Sequence, residues 1–419
     1  MSEFIRQALI DQKDEINEYQ DNLFVDRNVP VDFFSSGLTK IVSGVRRSGK
    51  STLVHLMLKD KQYAYVNFDD ERLLGLKSSD LSLIEEYLYG IYGDFKNLFL
   101  DEIQNVEGWS LFVNRLYRKK LNIFLSGSNS RLLSKEISSH LTGRFVNLEL
   151  YPFSFGEFLT YHNFKISGNI LSTKEKAQLK THFEEYLKAG GFPEIVKGEP
   201  SQKYASSLFY SIVNRDILLR YNIKHQRTFA DIALFLINNY SREISFNRLK
   251  NIFGLGSEHT AKNYVHYLKD AFLIFTLSKF SFKKQESLRY KKNYVIDISF
   301  IRSLSDDFSQ NTGRIYENIV AIELMRRKNV ENFEIYYYKN RYEVDFVIRK
   351  NLKITELIQV SFDIEDPKTY RREVNALIAA ANELNAEKLT IISKNYETEE
   401  VIKDKRVCFK PLVYWLLGQ

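Results

Sequence analysis

The stretch Gly44-Val45-Arg46-Arg47-Ser48-Gly49-Lys50-Ser51-Thr52 decides the reading of this chain. It fits G-x-x-x-x-G-K-S/T and lies where that pattern must lie, after the apolar run LTKIVS and before a helical stretch. The two glycines let successive backbone N–H groups turn inward around phosphate oxygens, and the following helix aims the positive end of its dipole at the same charge. In such a loop Lys50 reaches the β- and γ-phosphates and Ser51 ligates Mg2+, so residues 44–52 are expected to hold Mg-ATP. A chance glycine-rich turn is the competing reading, disfavoured by the strand before it and the helix after it.

Outward from the loop, short apolar runs at residues 38–44, 63–70, 97–103, 122–128 and 144–151 alternate with longer helical stretches. Strands apolar on both faces belong to a mostly parallel sheet covered by helices, which predicts an α/β fold up to about residue 155. The third run, Asn97-Leu98-Phe99-Leu100-Asp101-Glu102, ends in two carboxylates, as a Walker B strand does. Asp101 would hold Mg2+ through its water shell, and Glu102, at the strand tip, would orient and deprotonate an attacking water as general base. Two acids at a strand end are often merely solvated, and it is the phosphate loop that gives this pair its meaning. The next strand ends in Ser126-Gly127-Ser128-Asn129-Ser130, polar groups able to contact the γ-phosphate or the water, or to form a plain turn. Thr142-Gly143-Arg144 precedes the fifth strand, where the guanidinium serves a neighbouring subunit's nucleotide or is a surface arginine.

The set GVRRSGKS, LFLDEIQ, SGSNS and TGRFVNLELYPFSFGEF, in this order, resembles the archaeal and bacterial AAA+-type ATPases of the P-loop superfamily. More narrowly, the chain is similar to the prokaryotic "ATP-binding protein" family, in which an AAA ATPase precedes a winged helix and a C-terminal domain of unknown function. GGFPEIV, VNRDI and YENIVAIELMRRK carry that resemblance beyond residue 155. It implies an extra strand between the phosphate-loop and Walker B strands, Ser128 or Asn129 as sensor 1, and Arg144 at the arginine-finger position. Arg46 matches an arginine common in the family's loop.

With 419 residues the chain has room for about three domains. Only 6 prolines and 18 glycines leave little material for flexible linkers, so the whole chain should be compact. Lys+Arg 60 against Asp+Glu 53 gives a net charge of +7, which permits an anionic partner without requiring one. One cysteine, Cys408, excludes an intrachain disulfide. The charged first 20 residues lack the apolar centre of a secretory signal, and no run reaches the roughly 18 apolar residues of a membrane span, so the expected location is the cytoplasm. The histidines form no ligand-spaced set.

Four segments are expected. Residues 1–155 hold an N-terminal helix, with Ile5, Leu9, Ile16 and Tyr19 on one face, and the AAA+-like core; residues 156–225 read as a helical lid broken by the turn at Gly190 to Pro193. Residues 226–290 read as three helices and a hairpin, the outline of a winged helix. On its wing fall Lys283, Lys284, Arg289, Lys291 and Lys292, interleaved with Phe280, Phe282 and Tyr290, which suit either a DNA backbone, a protein contact or a solvated face. Residues 291–419 are mixed α/β, and there Glu317, Asp345 and the strand ELIQVSF resemble the PD-D/E-x-K nuclease fold. The match fails at Gln359 and Ser361, which stand where an acid and a lysine are needed, so a nuclease-like fold without competent chemistry is expected, with Glu317 and Asp345 open to a structural role. The expected function is Mg-dependent ATP binding and hydrolysis by an AAA+-type ATPase coupled to this winged-helix and nuclease-like region, with DNA and further copies of the chain as candidate partners; the alternative is a nucleotide-gated DNA-binding or protein-interaction switch with slow hydrolysis.

Overall fold

The computed structural model describes residues 2–19, 25–129, 141, 143–166, 171–305 and 312–418. Ser130, His140 and Thr142 lie outside the described residues, as do the side chains of Tyr19 and Lys284. Two compact units emerge: Met1–Tyr151 with Asp270–Phe272, and Pro152–Lys269 with Leu273–Gln419.

The first unit is built on five strands, β1 (Thr39–Ser43), β2 (Tyr63–Asn67), β3 (Asn97–Asp101), β4 (Asn122–Gly127) and β5 (Phe145–Glu149). All neighbours pair parallel in the order β2-β3-β4-β1-β5. The expected extra strand is therefore present, β4 lying between β1 and β3. Period-two alternation sorts the apolar side chains to two faces. Ile41, Leu98, Leu100, Ile123 and Leu125 join one hydrophobic cluster, while Val42, Phe99 and Phe124 join another. Helices α1 (Ser2–Tyr19), α4 (Leu81–Tyr92) and α5 (Trp109–Arg118) pack on the first face through Ile5, Leu9, Ile84, Leu88, Val113 and Leu116. Helix α3 (Lys50–Leu58) packs on the second through Leu53, Val54 and Leu58; the short helix α2 (Val31–Ser35) adds Phe33. Ile16, the third residue of the expected α1 stripe, is half-buried. One turn beyond Leu9, the Gln12 amide donates to the Asn67 carbonyl at 3.1 Å and accepts from the Asn67 N–H at 2.9 Å, covering backbone groups at the end of the edge strand β2.

The second unit contains a nine-stranded mixed sheet. Its strands are β6 (Arg242–Glu243), β7 (Ile274–Lys279), β8 (Lys291–Val295), β9 (Glu334–Lys339), β10 (Glu343–Lys350), β11 (Lys353–Val360), β12 (Lys388–Ser393), β13 (Thr398–Ile402) and β14 (Lys405–Pro411). Their order is β13-β14-β12-β11-β10-β9-β7-β8-β6. Helices Gln226–Asn238, Phe246–Ile252 and Glu258–Asp270 precede β7, and β7 pairs antiparallel with β8. Between those two strands, on the expected wing, runs a short helix, Lys284–Arg289. Because β7 also pairs with β9, the sheet continues across residue 290, and the expected division there does not separate two sheets.

The Gly190-Gly191 pair has a steric cause. A Cβ on Gly191 would stand 2.2 Å from the Phe153 carbonyl oxygen, and one on Gly190 would stand 2.2 Å from Asp297 Oδ1. The space is taken by hydrogen bonds: Phe153 N–H to the Gly191 carbonyl at 2.6 Å, and Gly191 N–H to Asp297 Oδ2 at 2.8 Å. No helix among the described residues is long and apolar enough to cross a membrane.

Candidate functional site

Parallel pairing brings the carboxyl ends of β1, β3 and β4 to one edge, the place where open α/β sheets bind ligands. The phosphate loop leaves β1 there. Gly44 has φ +150 and its missing Cβ would stand 2.2 Å from the Leu150 carbonyl oxygen, so only glycine passes. Arg47 (φ 66) and Gly49 (φ 89) are left-handed, which turns the chain into α3. Lys50 is buried, with Nζ donating to the Val45 carbonyl at 2.9 Å. Val45 and Ser48 are buried, and Ser51 and Thr52 are half-buried at the first turn of α3. Arg27 donates to the Ser48 carbonyl at 3.1 Å, bracing the loop from outside the motif. Arg46 pairs with Asp69 at 2.8 Å.

Asp101, at the end of β3, is buried. Burial pushes its pKa up, while hydrogen bonds from Ser126 and Ser51 and the charge of Lys50 pull it down. Ser126 is its register partner on β4 and donates to Oδ1. Asp101 and Ser51 thus meet directly, a hydroxyl and a carboxylate of the kind Mg2+ takes, so the residues fit the metal that the loop implies. Glu102 follows in left-handed conformation, φ 51, which tips the chain out of the strand. Its carboxylate accepts from Ser128 N–H and Oγ, both at 3.3 Å, and from the Gln104 amide. Burial raises its pKa as well, with the Lys50 charge opposing.

Lys50, Ser51, Asp101, Glu102 and Ser128 are therefore brought together, with Asn129 buried next in the chain. Ser128 meets the carboxylate of Glu102. Arg144 is not at this edge. It sits at the amino end of β5, beside the start of β1, exposed, with its guanidinium on Asn114 Oδ1 at 2.6 Å. Sequence reasoning missed Arg27, Asp69, Gln104 and the contact of Ser126 with Asp101; of these, Gln104 and Ser126 stood inside quoted motifs, and only strand register could have singled out Ser126.

Residues 37–159 match the family model of an AAA domain, residues 180–311 a domain of unknown function (DUF8612) and residues 312–413 another (DUF4143). Over 396 residues, covering 90% of this chain and 87% of the relative, the chain is 38% identical to uncharacterized protein MJ1544 of Methanocaldococcus jannaschii. An uncharacterized protein of Haemophilus influenzae is 31% identical over 88% of this chain and 93% of its own. The chain belongs to this family of uncharacterized archaeal and bacterial proteins. Its first unit carries an AAA domain of the P-loop ATPase type. Among solved structures, a STAND ATPase with a tetratricopeptide repeat sensor from Pyrococcus horikoshii is 15% identical, with TM-score 0.27, over 73% of this chain and 46% of its own. Cdc6p from Pyrobaculum aerophilum is 13% identical, with TM-score 0.25, over 75% of this chain and 94% of its own. At those scores neither likeness carries an inference about this chain.

The second unit corrects the expected basic face. Lys292 is 3% exposed, because on β8 its side chain turns into the interior. Its ammonium pairs with Glu317 at 2.8 Å and with Glu343 and Asp345 at 3.2 Å each. Lys291 is half-buried and donates to Ser278 Oγ at 2.6 Å and the Ser287 carbonyl at 3.2 Å. Lys292 cannot face a phosphate backbone, Lys291 is half-buried, and Lys283 and Arg289 are the exposed cations of that group among the described side chains. The degenerate positions do converge. Tyr294 donates to Glu317 at 2.8 Å, the Asp345 N–H donates to Gln359, and Gln359 donates to Glu373 at 2.8 Å, while Ser361 is buried beside them on the chain. Burial pushes Glu317 up to about 8 despite Lys292 and raises Asp345 too; burial works against the charge on Lys292, but the surrounding acids hold its pKa well above the usual lysine range. One buried ammonium thus lies between two buried carboxylates, whose charged forms burial disfavours. Removing one partner of such a buried pair costs about 3–5 kcal/mol. Lys292→Ala should lower the urea midpoint of the second unit by a corresponding amount, and an unchanged midpoint would show that the carboxylates do not depend on it.

Proposed function

We propose that the first unit binds ATP with Mg2+ and hydrolyses it, with Glu102 as general base, and that the nucleotide state is transmitted to the second unit. The observation that carries this reading is the meeting of Lys50, Ser51, Asp101 and Glu102 at one sheet edge. Inward-turned N–H groups of residues 44–51 and the Lys50 ammonium bind the phosphates and stay fixed as charge shifts toward the bridging oxygen. Mg2+, bound at Ser51 and through water at Asp101, would neutralise β- and γ-phosphate oxygens. Glu102 takes a proton from water as the water oxygen bonds to the γ-phosphorus. The bond from that phosphorus to the β–γ bridging oxygen breaks, and ADP leaves with the electron pair.

In the second unit, the three helices followed by the β7–β8 hairpin support reading residues 226–290 as a winged helix, and the convergence of Glu317, Asp345 and Gln359 supports reading residues 291–419 as nuclease-like in fold. Gln359, Ser361 and the Lys292 ammonium among the carboxylates argue against nuclease chemistry there. The helical segment 156–225 is read as the lid.

Lys50 and Glu102 act at different steps, so their variants should differ in kind. Lys50→Ala should weaken ATP binding, whereas Glu102→Gln should bind ATP normally and lose turnover by roughly 10²–10⁴ fold. Equal turnover in Glu102→Gln and the parent chain would overturn the assignment.

Arg144 sits too far along the sheet to serve its own loop, and we assign it to a neighbouring subunit's nucleotide. Arg144→Ala should then reduce turnover by about 10³–10⁵ fold with ATP affinity retained. Mixed with Glu102→Gln it should regain activity, because each variant keeps the part the other lacks. Co-assembly without regained turnover would remove Arg144 from the mechanism.

A further inference from the structure

Glu102 is held in an unusual way. Among the described residues, three hydrogen bonds reach its carboxylate, from the Gln104 amide, Ser128 N–H and Ser128 Oγ, and all three end on one oxygen, Oε2. The geometry depends on backbone strain. Glu102 is a non-glycine residue at φ 51, and the turn Ile103–Asn105 that follows folds the side chain of Gln104 back onto the carboxylate two residues earlier. Its amide must present Nε2 to Glu102, since the reverse would set two acceptors face to face. This orientation leaves Gln104 Oε1 buried with no hydrogen-bond partner among the described residues. A buried acceptor left unmet is unfavourable, and leucine or methionine at this position would avoid it, so the amide nitrogen on Glu102 is what the glutamine supplies.

We infer that Gln104 is a positioning residue for hydrolysis: its amide nitrogen pins Glu102 by Oε2, so that Oε1 is the oxygen turned to the attacking water. The inference rests on Glu102 being the general base. The amide also favours the ionised form of Glu102, because it donates to the carboxylate.

The test compares Gln104→Leu, Gln104→Met and Glu102→Gln in the full chain, reading kcat against pH and the affinity for a non-hydrolysable ATP analogue. Both Gln104 variants should bind the analogue within twofold of the parent chain and lose kcat at least tenfold. Without the amide donor the carboxylate protonates more easily, so the acidic limb of the kcat profile should move to higher pH, a change that loss of packing alone would not produce. The methionine variant keeps side-chain length and serves if leucine does not fold. Full kcat with an unmoved acidic limb, while Glu102→Gln is inactive, overturns the role of Gln104 and leaves Glu102 standing. Full turnover in Glu102→Gln overturns both.

Discussion

Taking a carboxylate out of water is unfavourable unless cations and hydrogen-bond donors meet it, and the first unit is arranged around that demand at buried Asp101 and half-buried Glu102. β4 is the element that meets it. Inserted between β1 and β3, it sets Ser126 level with Asp101 and carries Ser128 to Glu102. β1, on its other side, delivers the loop whose Lys50 faces both acids. Were β1 and β3 neighbours, the two carboxylates would lose Ser126 and Ser128 and keep only Lys50, Ser51 and Gln104. The same burial that raises both pKa values strengthens every electrostatic contact to a phosphate placed there, so the unfavourable environment and the useful one are the same environment.

Much of this was legible because it is local. The phosphate loop, five strands, an apolar stripe on α1 and the acids closing β3 are patterns of spacing along the chain, and spacing fixes which face or end a residue occupies. Gly44 and Gly49 were readable for the same reason, since the backbone positions they occupy exclude a Cβ or favour its absence. What was not legible depends on register between distant segments. That Gln12 covers the end of β2, that Arg27 braces the Ser48 carbonyl and that Asp69 pairs with Arg46 follow from how strands and helices meet in space.

Lys292 shows the limit most clearly. In sequence it belongs to a basic run interleaved with aromatics, and such runs are read as one exposed face. The run spans a helix and a strand, so its members point in different directions: Lys283 and Arg289 outward, Lys292 into the sheet interior. There its ammonium lies among Glu317, Glu343 and Asp345. The resemblance to a metal-dependent fold singled out Glu317 and Asp345 but neither Glu343 nor the ammonium, which comes from a strand some 25 residues before Glu317.

If Ser51 and Asp101 hold the metal against which ATP is hydrolysed, ATP turnover of the purified chain, measured as Mg2+ is titrated and alongside Asp101→Asn, should require Mg2+ and saturate with it. Asp101→Asn should need at least tenfold more Mg2+ for half-maximal rate or have no measurable rate. Turnover independent of Mg2+, or an unaltered Mg2+ requirement in Asp101→Asn, would contradict that assignment.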